Sequence, residues 1–379
     1  MVYLDNAATS WPKPEAVTLE MAKCIREYGA NPGRGGHRMA MRAGEKVYEC
    51  RENLAKLFSI PDPLQLVFTV NATEAINLAL KGILAPGDHV IMTSMEHNAV
   101  VRPLKKLASA GVELSIVKAG PRGKVKTTDI KENIQENTKL LVVTHASNVT
   151  GTVNDLVPLG RLAQEQGVHF MVDAAQTAGK QPIDVGLMKI DLLAFSGHKG
   201  LLGPQGTGGL YIRPGLPLDT LKEGGTGSAS ESPYQPAFLP DRYESGTLNT
   251  PGIAGLNEGI KFILETGVNN IREHENQLTG YMIERLREIK GVRLYGSSDP
   301  QGQAGVISIT IAGEDCQVVC RELDEKYNIA ARGGLHCACL AHGTIGTQDQ
   351  GTIRFSPGHF NTVHDLDRAL QAVEAIAGD

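Results

Sequence analysis

The stretch that decides the fold reads AFSGHKGLLGP over residues 194–204. It places a single lysine, Lys199, just after an apolar strand pattern, with a serine, a histidine and several glycines beside it. An isolated lysine in a loop is usually a surface residue. Here, however, hydroxyl, imidazole and glycine N–H groups can bind a phosphate, while the amine can form a Schiff base with an aldehyde. The pattern therefore favours a phosphate-bearing aldehyde as the ligand of Lys199.

Short apolar runs rich in β-branched residues recur on both sides of this stretch, and amphipathic stretches of helical length separate most of them. This alternation predicts an α/β fold with a mainly parallel, seven-stranded sheet and helices on both faces. In such sheets the chemistry gathers beyond the carboxyl ends of the strands. The predicted strands cover residues 66–70, 89–93, 113–117, 139–144, 169–173, 191–196 and 208–212.

The pattern changes after Thr250, where long helical segments replace the regular alternation of strands and helices. We therefore predict a large domain of residues 15–255 and a smaller α+β domain formed by residues 1–14 and 256–379. Residues 224–240 are rich in Gly, Ser and Pro and are predicted to form a long loop.

The composition excludes several classes of protein. Apolar residues make up 41% and charged residues 21% of the 379 residues, as in globular rather than disordered chains. The net charge of -5 is spread without charge runs, which argues against nucleic-acid and membrane surfaces. Neither a signal-peptide pattern nor a long apolar span occurs, so we expect a cytoplasmic protein. Six irregularly spaced cysteines do not suggest a disulfide framework.

Polar groups suited to binding or catalysis follow five of the predicted strands, one of them being the Lys199 stretch. Asp173 ends an apolar strand, where it can cap the next helix or pair with the protonated nitrogen of a pyridine ring. Thr73 opens a helix, His97 supplies a planar imidazole and Asn148 supplies an amide. Each alone is more often a turn or cap residue than a ligand. Their shared position at strand ends favours a single site.

A candidate nucleophile lies in the sequence RGGLHCAC at residues 332–339. Cys337 has His336 beside it and Arg332 nearby, and neighbouring positive charge favours a reactive thiolate. Two cysteines and two histidines close together could also bind a metal. However, Cys-x-Cys is not the usual zinc spacing and no second pair follows, so we predict no metal site. The glycines before the thiol predict a mobile or tightly turned loop.

Arg354 is a second candidate, because it is a charged residue within the otherwise apolar strand pattern of residues 351–356. A guanidinium in such a strand either belongs to a buried ion pair or binds a carboxylate through two parallel hydrogen bonds. The sequence alone leaves both interpretations open.

Together these motifs resemble the cysteine desulfurase and selenocysteine lyase family, which depends on pyridoxal 5'-phosphate (PLP) and belongs to the class V aminotransferase group. The resemblance covers nearly the whole chain and implies the fold-type I PLP-dependent transferase fold, PLP as the cofactor, and a homodimer. The short spacing between Cys337 and Arg354 resembles the short-loop, SUF-type members. The segments that carry the resemblance are YLDNAAT (3–9), NATEAIN (71–77), EHN (96–98), VDAAQ (172–176), SGHK (196–199), RYESGT (242–247) and RGGLHCA (332–338).

The resemblance also implies a role for each candidate at the cofactor. Lys199 would hold PLP covalently and move the substrate's α-proton, while Asp173 would pair with the pyridine nitrogen. His97 would stack on the ring, and Gln176 would bond its hydroxyl. The residues implied for the phosphate are Thr73, Ser196 and His198, joined by Thr247 of the partner subunit.

For the substrate, the resemblance implies that Asn148 and Arg354 position L-cysteine and that Cys337 attacks its sulfur. The products would be L-alanine and a persulfide on Cys337, from which a sulfur-acceptor protein could take the sulfur. A selenocysteine lyase, or an aminotransferase or epimerase on the same scaffold, is the alternative. Leu335 stands where short-loop members often carry another histidine. Three roles are open for Cys339: a sulfur relay, a protective disulfide, or a small buried apolar side chain.

Overall fold

The computed structural model describes residues 1–33, 35–297 and 299–378, and a seven-stranded sheet lies at its centre. Apolar and β-branched residues form these strands because such side chains fit a pleated, buried surface. The predicted strands are all confirmed, with ends that agree to within one residue. They are β2 (Leu66–Thr69), β3 (His89–Thr93), β4 (Glu113–Val117), β5 (Thr138–Thr144), β6 (His169–Asp173), β7 (Leu192–Ser196) and β8 (Gly208–Ile212).

The strand order in this sheet is β2-β8-β7-β6-β5-β3-β4. Strand β8 runs antiparallel to both of its neighbours, and every other pair is parallel. The mainly parallel sheet is therefore confirmed. Because β8 alone runs in reverse, the other six strands all end at the same edge, and the polar groups that follow them meet there.

Helices cover both faces of the sheet, and the central strands are buried on both sides. Leu141 and Val143 of β5 lie in one apolar core, whereas Leu140 and Val142 lie in the other. This follows from the alternation of side chains along a strand. The helices that connect the strands are α3 (Ala72–Ile83), α4 (Asn98–Ala108), α5 (Thr127–Lys131) and α6 (Leu156–Glu165).

The N-terminal part of the chain adds strand β1 (Val2–Tyr3) and two helices, α1 (Glu15–Lys23) and α2 (Arg38–Phe58). Helix α7 (Thr250–Thr266) packs against both of these helices. The predicted domain boundary at residue 255 thus falls within α7. Residues 224–240 contain neither helix nor strand, as predicted for the long loop.

A second sheet lies in the C-terminal part of the chain, and its antiparallel strands take the order β12-β13-β10-β9. The predicted loop at residues 332–334 is instead strand β12, because its backbone pairs with β13. No helix of the described residues is long and apolar enough to cross a bilayer. The elements here are α8 (Val268–Glu288), β9 (Val292–Tyr295), β10 (Ile307–Ile311), α9 (Cys316–Glu325), β11 (Ile329–Ala330), β12 (Arg332–Gly334), α10 (Cys339–Ile345), β13 (Thr352–Phe355) and α11 (Val363–Gly378).

Candidate active site

A cavity of about 210 Å³ lies at the edge of the large sheet where its parallel strands end. The segments that follow β2, β3, β5, β6 and β7 line it, which is the usual position of a ligand site in an open α/β sheet. Three of the predicted residues, Cys337, Arg354 and Thr247, are not part of this lining. The predicted residues that do line it are Thr73, His97, Asn148, Asp173, Gln176, Ser196, His198 and Lys199.

Lys199 follows β7 and supplies the one amine in the cavity lining. Burial lowers the pKa of this amine to about 8, although the nearby Asp173 carboxylate acts in the opposite direction. A lysine with such a pKa is partly uncharged near neutral pH. It can therefore act as a nucleophile and can also accept and return a proton.

Asp173 ends β6 and is buried. Its Oδ1 accepts a hydrogen bond from the Ala175 N–H at 2.9 Å, so the carboxylate does cap the turn that follows the strand. Burial raises the pKa of Asp173, whereas this bond and the Lys199 charge oppose the increase. The capping interaction uses one carboxylate oxygen, which is compatible with a role toward a ligand for the other.

His97 caps the N-terminus of α4 by accepting the Ala99 N–H at Nδ1, over 3.0 Å. Since Nδ1 is an acceptor, the proton of the neutral ring is on Nε2. Burial, together with the Lys199 and Arg102 charges, lowers the pKa of His97 to about 4. The ring is therefore an uncharged, planar group at neutral pH, which suits it to stacking on another aromatic ring.

An anion-binding arrangement lies where α3 begins. The Ser196 hydroxyl accepts the Ala72 N–H at 3.1 Å, and Thr73 is exposed in the first turn of the helix. His198 contributes a buried Nδ1 without a hydrogen-bond partner among the described residues. Burial and the Lys199 charge lower the pKa of His198 to about 4. The free N–H groups of a helix N-terminus favour a phosphate at this position.

Gln176 and Thr247 are placed differently from the other predicted cofactor residues. The Gln176 side chain lines the cavity, but its Nε2 donates to the main-chain oxygen of Ala7 at 3.1 Å. Thr247 is exposed, and its hydroxyl accepts a hydrogen bond from Asn31 at 3.3 Å. Within one chain, the structure therefore does not bring Thr247 to the cavity.

Arg354 is buried in β13 and forms an ion pair with Asp5 over 2.8 Å, from Nη2 to Oδ1. Its Nη1 donates to the main-chain oxygen of Asn148 at 3.1 Å, while the buried Nε has no partner among the described residues. The ion-pair interpretation is thus correct, and a donor is left for a ligand. Sequence reasoning did not identify Asp5 as the partner, because the two residues lie at opposite ends of the chain.

Cys337 lies in the turn between β12 and α10, and its thiol is exposed. The prediction that His336 supplies positive charge is wrong. Burial and the Arg354 charge lower the pKa of His336 to about 2, so its ring is neutral at any working pH. Burial lowers the pKa of Arg354, and the negative charges of Asp5 and Cys337 oppose this decrease.

Cys339 is also exposed, and its Sγ lies 3.7 Å from Oδ1 of Asn98. The interpretation of Cys339 as a small buried apolar residue is therefore wrong. Both Cys337 and Cys339 are free thiols in this structure.

Glu96 is a residue of this region that sequence reasoning missed, although it precedes His97 in a quoted motif. It is fully buried, and its Oε1 accepts hydrogen bonds from the Thr93 hydroxyl at 2.7 Å and the Thr144 N–H at 2.9 Å. Burial raises the pKa of Glu96 to about 8. The carboxyl is thus mostly protonated at neutral pH and joins the ends of β3 and β5 beside the cavity.

Comparison with known proteins identifies the family. The model of the class-V aminotransferase family matches residues 2–369, and the chain belongs to this family. A probable cysteine desulfurase of Methanothermobacter thermautotrophicus is 37% identical and aligns with 100% of this chain and 95% of its own length. A cysteine desulfurase of Escherichia fergusonii is 34% identical, covering 99% of this chain and 93% of its own.

Solved structures agree with this assignment. The apo structure of cysteine desulfurase from Thermococcus onnurineus NA1 has a TM-score of 0.90 at 32% identity and covers 100% of this chain and 94% of its own. A cysteine desulfurase of Escherichia coli has a TM-score of 0.89 at 29% identity and covers 99% of this chain and 94% of its own. The family and fold expected from the sequence are confirmed.

Proposed function

We propose that this protein is a PLP-dependent cysteine desulfurase, which converts L-cysteine into L-alanine and retains the sulfur as a persulfide on Cys337. The observation that carries the proposal is the structural connection between the Lys199 amine and the segment that bears the Cys337 thiol. The amine of Lys199 lies in the cavity, and the turn that bears the Cys337 thiol is hydrogen-bonded to Asn148 of the cavity lining. Full-length relatives named cysteine desulfurase support the same activity.

The groups around the cavity fit PLP. When bound, PLP supplies an electron sink that weakens the bonds around the substrate's α-carbon. The unpartnered Nδ1 of His198 and the N-terminus of α3, with Thr73 and Ser196, suit its phosphate. The Lys199 amine suits its aldehyde, and the Asp173 carboxylate suits a protonated pyridine nitrogen.

The residues of the chain would bind the cofactor and the substrate, transfer protons and attack the substrate sulfur. The neutral ring of His97 would stack on the cofactor, and the Gln176 amide would bond its hydroxyl. Nζ of Lys199 accepts the α-proton of the substrate and later returns a proton to the α-carbon. The β-carbon gains one proton, which balances the proton that the Cys337 thiol gives up when it becomes a thiolate. The unused Nε of Arg354 and the Asn148 amide bind the α-carboxylate. The Cys337 thiolate attacks the substrate sulfur, so that an S–S bond forms while the C–S bond breaks and its electron pair stays with carbon.

The proposal also covers the oligomeric state, the cellular compartment, the domain boundaries and the sulfur acceptor. We infer a cytoplasmic homodimer with a large domain of residues 15–255 and a smaller one of residues 1–14 and 256–379. Thr247 would complete the phosphate site of the partner subunit, and its exposure outside its own cavity supports this role. A sulfur-acceptor protein would take the sulfur from Cys337, whose exposed position suits such a transfer.

The replacement Cys337→Ala tests the activity. With PLP, L-cysteine and a reductant, the wild-type protein should release alanine and sulfide in equal amounts. Cys337→Ala should still change its visible spectrum on addition of L-cysteine, yet form alanine at least 100-fold more slowly. Cys339→Ala is the matched control, since it removes a neighbouring exposed thiol.

Other products would separate the alternatives. Keto acid in place of alanine would indicate an aminotransferase, and racemised cysteine an epimerase. A far higher rate with L-selenocysteine, retained in Cys337→Ala, would indicate a selenocysteine lyase. No product at all from the PLP-loaded protein would reject the proposed enzyme.

A further inference from the structure

The turn that carries Cys337 is held by residues from three other segments. The His336 ring contacts the Thr352 hydroxyl through Nε2 at 3.0 Å. The main-chain oxygen of His336 accepts the side-chain amide of Asn148 at 2.6 Å. The main-chain oxygen of Cys337 accepts the Asn98 N–H at 2.8 Å. These bonds hold the backbone from which the thiol projects.

The backbone of this turn is strained. His336 has a φ of 48° and Cys337 a φ of 58°, and both values lie in the left-handed region that side-chain-bearing residues rarely adopt. Such a conformation persists only where the surrounding structure imposes it, and it is often found at functional sites. Loss of one of the bonds that hold the turn should therefore release it.

Asn148 is the member of this set that also lines the cavity. It is buried, and its main-chain oxygen accepts a hydrogen bond from Nη1 of Arg354 at 3.1 Å. A carboxamide carries two N–H groups. His336 uses one of them in this structure, which leaves the second for a ligand beside Arg354.

We propose that Asn148 is the positioning residue for Cys337. One N–H of its amide holds the His336 carbonyl, and the other binds the substrate carboxylate that Arg354 also holds. A single side chain then sets the substrate sulfur and the attacking thiol relative to each other. This inference rests on the proposed desulfurase function. Because misplacement of a reacting group by about 1 Å can cost ~100-fold in rate, such a bridge would affect sulfur transfer directly.

The first test measures the turn without cofactor or substrate. Hydrogen–deuterium exchange of the peptide that spans residues 335–340 should become at least fivefold faster in Asn148→Ala than in the wild-type protein. Asn154→Ala is the matched control, since Asn154 is buried in the same connection and its side-chain amide bonds the Thr144 oxygen and the Val125 N–H rather than the Cys337 turn. Unchanged exchange in Asn148→Ala, or equal acceleration in both variants, would overturn the proposal.

The second test separates positioning from binding in the PLP-loaded enzyme. In a single turnover at saturating L-cysteine, Asn148→Ala should form the Cys337 persulfide at least tenfold more slowly, as measured by rapid quench and peptide mass spectrometry. A residue that only binds the carboxylate would raise KM and leave this rate unchanged, and that result would refute the bridge. Failure of the proposed function is distinguishable, because the wild-type protein would then form no persulfide while the exchange result still stands.

Discussion

At the scale of single residues, burial controls the charges of the site more than contacts between charged groups do. The rings of His97, His198 and His336 are all kept neutral mainly by burial, although His198 directly precedes Lys199 and His336 directly precedes Cys337. Burial also lowers the pKa of the Lys199 amine to about 8, close to neutral pH. The site therefore offers uncharged imidazole rings and an amine that is partly uncharged near neutral pH.

The lowered pKa of Lys199 gives a prediction for the cofactor-free protein. Its amine should react with acetic anhydride with a midpoint near pH 8, rather than near the ordinary lysine value of 10.5. The Asp173 carboxylate raises the pKa of Lys199, so Asp173→Asn should move the midpoint to lower pH. Mass spectrometry of the labelled Lys199 peptide across a pH series measures the midpoint in the wild-type protein and in Asp173→Asn. A midpoint above pH 10, or an upward shift in Asp173→Asn, would contradict this account.

Arg354 combines a structural and a binding role, and substitution should separate them. Arg354→Ala removes a charged donor for the substrate carboxylate, worth about 1.5–3 kcal/mol, and should raise the L-cysteine concentration for half-maximal alanine formation by about 10- to 100-fold. It also leaves Asp5 unpaired and should lower the melting temperature. The double variant Asp5→Asn/Arg354→Ala should recover stability but not affinity. An unchanged L-cysteine dependence would mean that another group holds the carboxylate.

At the scale of secondary-structure elements, strand β8 shapes the end of the cavity where we propose that the phosphate binds. It is inserted antiparallel between β2 and β7, and Gly208 at its start packs directly against the turn that opens α3. A Cβ atom at position 208 would lie 2.7 Å from Asn71 Cα and 2.8 Å from the Phe195 oxygen. Both contacts are with backbone, which cannot move aside as a flexible side chain can.

Gly208→Ala should therefore displace the first turn of α3 and weaken cofactor binding. We expect the dissociation constant for PLP to rise at least tenfold and the melting temperature to fall, as followed by spectral titration and thermal unfolding. Gly120→Ala is the control, since its Cβ would lie 3.6 Å from the nearest atom, the Lys124 oxygen, which is ordinary contact. Wild-type affinity in Gly208→Ala would show that the turn tolerates the displacement.

The same elements show why the sequence predicts some features and not others. The seven strands of the large sheet were predictable because each is a short apolar run between turn residues. The direction of β8 was not, since it depends on pairing with β2, far away along the chain, as well as with β7. The sequence of β12 predicts a loop because its two glycines signal a turn, but β13 supplies the hydrogen bonds that make it a strand.

Some residues of the candidate site were likewise predictable from the sequence, and others were not. Residues at strand ends could be grouped from the sequence, since parallel strands share one edge. The Asp5–Arg354 pair could not, because it depends on how the second sheet meets the N-terminal segment. The neutral state of His336 depends on burial, which the glycine-rich sequence around it does not reveal.

At the scale of the whole molecule, the N-terminal segment joins the two sheets at the site. Asp5 reaches Arg354 of the second sheet, while Ala7 accepts a hydrogen bond from Gln176 beside the large one. The Ser10 N–H donates to the main-chain oxygen of His198, which directly precedes Lys199. The proposed carboxylate-binding and cofactor-binding parts of the site are thus connected through a few residues of the N-terminal segment.

Thr247 allows a test of the proposed homodimer. Each site would combine Lys199 of one subunit with Thr247 of the other, so two inactive variants should complement each other. Lys199→Ala lacks the amine, and Thr247→Asp places a negative charge against the phosphate. In a mixed dimer, the site with the intact lysine would receive its threonine from the Lys199→Ala subunit, whereas the other site would carry both substitutions.

Mixed dimers that carry two different tags and are purified through both should therefore regain about half of the wild-type alanine formation, while each parent stays inactive. If Thr247 acted within its own subunit, every site in the mixed dimer would carry one substitution and no activity would return. Dimers of two wild-type chains that carry the same two tags and pass through the same subunit exchange and purification are the control for activity lost during preparation. A protein that light scattering shows to be a monomer with full activity would also contradict the shared site, since the Thr247 hydroxyl bonds Asn31 outside the cavity of its own chain.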